Sequence, residues 1–144
     1  MKIKQAAFTL LELLVVISII GILISLAVAG FTNGQKKSRD SRRKQDLQAV
    51  QTGFEQYYVA NGAYSDAAMD TLSEYVAALT DYQNFLPAGA PTDPKNTGDY
   101  VYSIGGDLDA YCVCAKLESA SGNASTSDCS FGGDQTYFCV KNLQ

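Results

Sequence analysis

Two hydrophobic patterns follow one another along the first sixty residues. From Phe8 to Phe31 the run FTLLELLVVISIIGILISLAVAGF is apolar on every side, and Glu12 is its one ionisable residue. As a helix these 24 residues reach about 36 Å, against a bilayer hydrocarbon core of roughly 30 Å. The pattern then becomes one-sided. Leu47, Val50, Phe54, Tyr57 and Tyr58 recur at spacings of three and four, which marks a single buried helical face. Lys36 with Asp40, and Arg42 with Asp46, stand at i,i+4 and are expected on the exposed side. Residues 1–86 contain no proline, and Asn61-Gly62 is the first strong stop signal. The spacing therefore predicts one helix over 8–60, lipid-soluble in its first half and amphipathic in its second.

Beyond that helix the period changes twice. Met69, Leu72, Val76 and Leu79 predict a short helix over 66–79, and the segment 87–98, which holds every proline, reads as loop. Strands are predicted at 100–104, 110–118 and 135–140. Gly105-Gly106-Asp107 is expected to turn between the first two, and the Ser/Gly/Asn-rich stretch 119–134 between the last two. Three antiparallel strands packed on the amphipathic half of a long helix make an α+β fold with one small core. The expected division is a leader over 1–7, the membrane half of the helix over 8–31, its amphipathic half over 32–62, and a globular head over 63–144.

A carboxylate inside an apolar span is a functional hypothesis by default, since a central charge costs about 2.5–3.5 kcal/mol on insertion scales. Solvation of Glu12 at the interface, with no partner, is the plainer alternative. A cleaved signal peptide is another reading, because Lys2 and Lys4 precede the run and Ala27-Val28-Ala29 resembles a small-residue cleavage site. The length of the run and its helical continuation favour a retained span.

The net charge of −4 conceals a polarity. Lys2, Lys4, Lys36, Lys37, Arg39, Arg42, Arg43 and Lys44 precede residue 51, leaving Lys95, Lys116 and Lys141 for the remainder, whereas Glu12, Asp40 and Asp46 are the only acids in that first part. A basic stem and an acidic head suit contacts between neighbouring copies, or a basic collar on anionic lipid, and the cluster at 36–44 reads equally well as a solvated face. The acidic head argues against nucleic acid as a partner. The chain has no His, nucleophile–base pair or phosphate loop, so no enzyme site can be named.

Cys112, Cys114, Cys129 and Cys139 are an even set in a small, loop-rich region, which predicts disulfides and an extracytoplasmic head. Zinc is less favoured, because paired C-x₂₋₄-C knuckles are absent. Cys112 and Cys114 share a strand face and should bond elsewhere; Cys112–Cys139 with Cys114–Cys129 is the preferred pairing, and the swapped pairing stays open. Asn123-Ala124-Ser125 matches a glycosylation sequon.

Phe8-Thr9-Leu10-Leu11-Glu12-Leu13, after a short basic leader and before an uninterrupted apolar helix, resembles the N-terminal motif of type IV pilins and type II secretion pseudopilins. The stretches Arg39-Asp40-Ser41-Arg42-Arg43, Tyr57-Tyr58 and Asn61-Gly62-Ala63-Tyr64 resemble the stem of bacterial members, and Asp93-Pro94-Lys95-Asn96 is similar to a segment of major pseudopilins. The resemblance implies a type IV pilin-like fold and cleavage between Ala7 and Phe8 by a prepilin peptidase, with N-methylation of Phe8. It further implies assembly through Phe8 and Glu12 into a homo-oligomeric filament, served by an inner-membrane assembly platform and an assembly ATPase. The new ammonium of Phe8 on one subunit would meet Glu12 of another. Ala7 stands where the family usually has Gly. Ala29 stands where many members have Pro, which leaves Gly21 and Gly30 as the candidates for helix loosening. No cofactor is expected: Asp107, Asp109, Asp128 and Asp134 lie in turns and could gather around calcium as acidic loops do in major pseudopilins, but EF-hand spacing is absent and solvated turn residues are the favoured reading.

The function implied is a pilus-like structural subunit for adhesion, motility or DNA uptake, held first as a single-pass inner-membrane protein and then in a surface or periplasmic filament. A G-type pseudopilin of a type II secretion system and a membrane-anchored extracytoplasmic binding protein are the alternatives. Counting flanking bases would place the 36–44 cluster in the cytoplasm. The cysteines and the resemblance require the reverse, and Asp40 and Asp46 offset the cluster.

Overall fold

A computed structural model of the chain describes residues 9–64, 71–79 and 81–144, with the side chains of Ala29 and Tyr82 excepted. Two compact units meet between Gln35 and Lys36. Helix α1 (Leu10–Asn61) runs through both, as the uninterrupted periodicity predicts. In the first unit its apolar side chains stand free, from Val15 at 45% to Leu10 at 81% exposed. By length and composition this part is apolar enough to cross a membrane. Ser18 and Ser25 turn their hydroxyls back onto the carbonyls of Leu14 and Ile22, so neither leaves an unsatisfied polar group on that apolar surface.

The second unit, from Lys36 onward, is a head built on the amphipathic part of α1. That helix ends where Asn61-Gly62 predicts. Gly62 adopts φ +79°, its N–H donates to the Tyr58 carbonyl, and the Asn61 amide donates to the Tyr57 carbonyl. Helix α2 (Leu72–Ala78) is shorter than the 66–79 expected; residues 65–70, Met69 among them, lie outside the described residues. Leu72, Val76 and Leu79 are buried as the spacing predicts, and Tyr75 joins them. A single 3-10 turn at Tyr82–Asn84 was not foreseen.

The sheet has the predicted order and sense: β1 (Ser103–Gly106), β2 (Tyr111–Lys116) and β3 (Tyr137–Lys141) form an antiparallel meander. The first strand is displaced toward the C-terminus. Tyr102 is drawn out of it because its hydroxyl donates to Asp46 on α1, while Gly105 and Gly106 pair with Cys112 and Tyr111 instead of turning. The turn moves to 107–110, where one Asp107 carboxylate oxygen accepts the N–H groups of Asp109 and Ala110.

One sheet face, carrying Tyr111, Val113, Ala115 and Val140, packs on Leu47, Val50 and Phe54 of α1 and on α2. Phe54 meets Tyr111 edge-on at 5.0 Å. The other face carries the cysteines and is covered by the 119–134 loop through the fully buried Ala124. Ala124 exchanges both backbone hydrogen bonds with Tyr137, so the loop behaves as a short extra strand along β3. Gly122 lets it come that close, since a Cβ there would overlap the Tyr137 carbonyl. Gly122→Ala is therefore expected to destabilise the head by about 1–3 kcal/mol, read as a lower denaturant midpoint. An unchanged midpoint would contradict the close packing of the loop.

The disulfides are Cys114–Cys139 and Cys112–Cys129, the reverse of the preferred pairing. Register decides this. Cys114 stands directly opposite Cys139, with Cα atoms 4.1 Å apart, whereas Cys112 faces Lys141 and turns to the loop cysteine.

Candidate assembly site

At the start of α1, Thr9 and Glu12 form a reciprocal pair. The Thr9 N–H and hydroxyl donate to one Glu12 carboxylate oxygen at 3.0 and 2.9 Å, and the Glu12 N–H donates to the Thr9 hydroxyl at 3.2 Å. This is a capping box, in which two helix-end donors that lack intrahelical partners are satisfied together. Its sequence signal is the Thr-x-x-Glu spacing of Thr9 and Glu12. Ala7 and Phe8, expected to flank the cleaved bond, lie outside the described residues. Helix α1 continues through Gly21 and Gly30, and a Cβ at either would meet nothing within 4 Å.

The basic cluster at 36–44 is not a uniformly solvated face, one of the two readings open from the sequence, because part of it is paired within the head. Asp40 is buried, and its ion-pair partner is Arg43 rather than Lys36. The Arg43 side chain is fully buried: it holds Asp93 through two nitrogens at 2.6 and 2.9 Å, Asp40 at 2.7 Å and Glu118 at 3.0 Å. Arg39 forks onto both oxygens of Glu118 at 2.6 and 2.7 Å. Asp40 also accepts the backbone N–H groups of Glu118 and Ser119 at 2.9 Å. Lys44 donates to the Ser121 carbonyl at 2.6 Å. Asp93 in turn accepts the N–H of Lys95, which makes the Asp-Pro segment a turn whose carboxylate is aimed at the stem. Arg39, Arg43 and Lys44 thus clamp the head's own loops, while Lys36 and Lys37 stay exposed and Arg42 reaches Asp46 only at 3.9 Å.

These bonds hold the ionised forms. Burial works against the Arg43 charge and against the Asp93 charge, but their mutual hydrogen bonds outweigh it, raising the first group and lowering the second. Glu118 is lowered to about 2, chiefly by the Arg39 fork. A carboxylate with a depressed folded value adds stability above its unfolded value and loses it as pH falls through the folded one. The head should therefore hold its thermal midpoint down to the ordinary carboxylate values of 4.5 and 3.8, then lose it progressively toward about pH 2. A midpoint that stays flat through that window would contradict the clamp.

Asp107 uses one carboxylate oxygen to close the β1–β2 turn, and Asp109 contributes its backbone N–H there. Asn123 of the sequon has both ends of its side-chain amide engaged with the Cys139 backbone at 2.8 Å.

Comparison with known proteins follows the same residues. The family described as the prokaryotic N-terminal methylation motif matches residues 2–28. Type II secretion system core protein G of Escherichia coli (strain K12) is 32% identical over 114 residues, covering 75% of this chain and 78% of that protein. The core protein G of Aeromonas hydrophila is 28% identical over 135 residues, covering 88% and 91%. Type IV major pilin protein PilA of Myxococcus xanthus is 37% identical over 65 residues, 45% of this chain and 30% of that protein. No solved structure matches. The chain belongs to the type IV pilin and type II secretion pseudopilin family, whose members are structural subunits.

Proposed function

We propose that this chain is the structural subunit of a type IV pilus-like filament, used for adhesion, motility or DNA uptake. The observation that carries this reading is a capped carboxylate, Glu12, at the start of a helix whose large apolar side chains are exposed from Leu10 to Phe31. A surface of that kind must be covered by lipid or by copies of itself. In the stored subunit the bilayer covers it, with the head on the extracytoplasmic side, where disulfides persist. Prepilin peptidase cuts between Ala7 and Phe8 and methylates the new amine, which keeps its positive charge. Assembly on the inner-membrane platform, driven by its ATPase, then exchanges lipid for neighbouring helices.

Glu12 gives this exchange its register. In the isolated subunit Thr9 and the helix end satisfy the carboxylate, so the unassembled state carries no bare buried charge. In the filament the Phe8 ammonium of an adjacent subunit becomes its partner, and any stagger that leaves either charge alone is penalised. Gly21 and Gly30 are where the helix would loosen to accommodate that stagger.

A second reading, the G-type pseudopilin of a secretion system, is favoured by one observation: the core protein G relatives align along most of both chains. Deleting the gene separates the two. Loss of long surface fibres in electron micrographs supports the pilus, whereas lost protein secretion with no fibres in the parent strain would overturn it in favour of the pseudopilus. A chain that stays monomeric in detergent with an uncut N-terminus would sink both.

A further inference from the structure

We infer that the four cysteines form a soft-metal tetrathiolate site when the head is reduced, taking one zinc ion in place of the two disulfides. Strand β2 supplies Cys112 and Cys114, the covering loop supplies Cys129, and β3 supplies Cys139. The four sulfurs lie within 4.8 Å of one another, and the separations between the two bonded pairs include 3.8 Å for Cys112 to Cys114 and 3.4 Å for Cys114 to Cys129. Zinc–sulfur bonds of about 2.3 Å in a tetrahedron set the sulfurs roughly 3.8 Å apart. Separations between the pairs already lie near that value, and the two bonded pairs reach it by side-chain rotation once the S–S bonds are gone.

The surroundings suit a closed site. Cys114 and Cys139 are buried, Cys112 and Cys129 are half-buried, and Ala124 closes the cluster from the loop side. The Asn123 amide grips the Cys139 backbone at both N–H and carbonyl, which fixes that ligand's position. Lys141 alternates onto the cysteine face of the sheet directly opposite Cys112, where its charge offsets part of that of a tetrathiolate, while Lys116 on the same face is paired with Asp99 at 2.7 Å. Sequence spacing alone does not reveal such a site, because its knuckle is a Cys-x-Cys completed by register.

The chemistry balances with a named reductant. Two equivalents of a dithiol, which leave as cyclic disulfides, or of a phosphine, which take up water and leave as phosphine oxide, deliver four electrons and four protons and turn the two disulfides into four thiols. One Zn²⁺ then displaces those four protons and leaves a dianionic centre. Either state staples β2, β3 and the loop, so the head keeps its fold in reducing and in oxidising surroundings.

The test uses the full chain in detergent micelles, reduced with a phosphine and then freed of it. Titration with zinc chloride should give one ion per chain by native mass spectrometry, and cobalt(II) should give the intense visible bands of tetrahedral thiolate coordination. Oxidation to two disulfides, checked by peptide mapping, should abolish both signals. Cys129→Ser should lose stoichiometric zinc, as should Cys112→Ser, which alters a half-buried ligand and can still form the Cys114–Cys139 disulfide during folding, before reduction. Less than one zinc per reduced chain, equal binding by the oxidised chain, or full binding by either variant would overturn the inference.

Discussion

Glu12→Ala should leave the chain in the membrane and abolish filaments. Removing one partner of a buried ion pair costs about 3–5 kcal/mol, because the other charge stays desolvated and alone. At each new contact that is a loss of roughly two to three orders of magnitude in the assembly equilibrium. Insertion should not suffer, since an apolar span gains by losing a carboxylate. Two further variants separate charge from capping. Glu12→Gln keeps a capping-box acceptor for Thr9 but no charge, and should also fail to assemble. Thr9→Val keeps the charge but loses the cap, and should assemble with a smaller deficit of about 1 kcal/mol. Yield is read from sheared fibres against the membrane pool. Normal fibre yield from Glu12→Gln would reduce Glu12 to a helix cap.

Arg43→Ala should unfold or severely loosen the head. It strips the common partner from Asp40, Asp93 and Glu118, two of which are buried outright, and replaces a large, fully buried side chain by a small one. Loss of about 3–5 kcal/mol is expected, against a total of about 5–15 kcal/mol for a domain. Arg39→Ala should cost far less, because Arg39 is a third exposed and Glu118 keeps Arg43. Chemical denaturation of the two variants in detergent decides the matter. Equal midpoints would mean that the clamp is a surface network rather than the joint between stem and head.

Most of the fold was legible because it rests on local periodicity. The stop at Gly62 and the buried face from Leu47 to Phe54 are written in spacing and in a φ that Gly tolerates. The meander follows from three short runs separated by turn residues. What escaped was set by partners distant in sequence. Tyr102 leaves the strand because Asp46 accepts its hydroxyl, and Cys114 bonds Cys139 because the register of two strands puts them face to face. Asp40 looked like the partner of Lys36 on a solvated face. A loop more than seventy residues away buries it and hands it to Arg43. At the assembly site Glu12 stood out by charge alone, and its box with Thr9 was readable from the same four letters.

The proposed filament depends on Glu12 and on a newly made N-terminus at Phe8. The most direct measurement is the intact mass and N-terminal sequence of the chain recovered from purified fibres. That chain should begin at Phe8 and carry one added methyl group. A chain that begins at Met1, recovered as a monomer from the membrane with no fibres present, would contradict it.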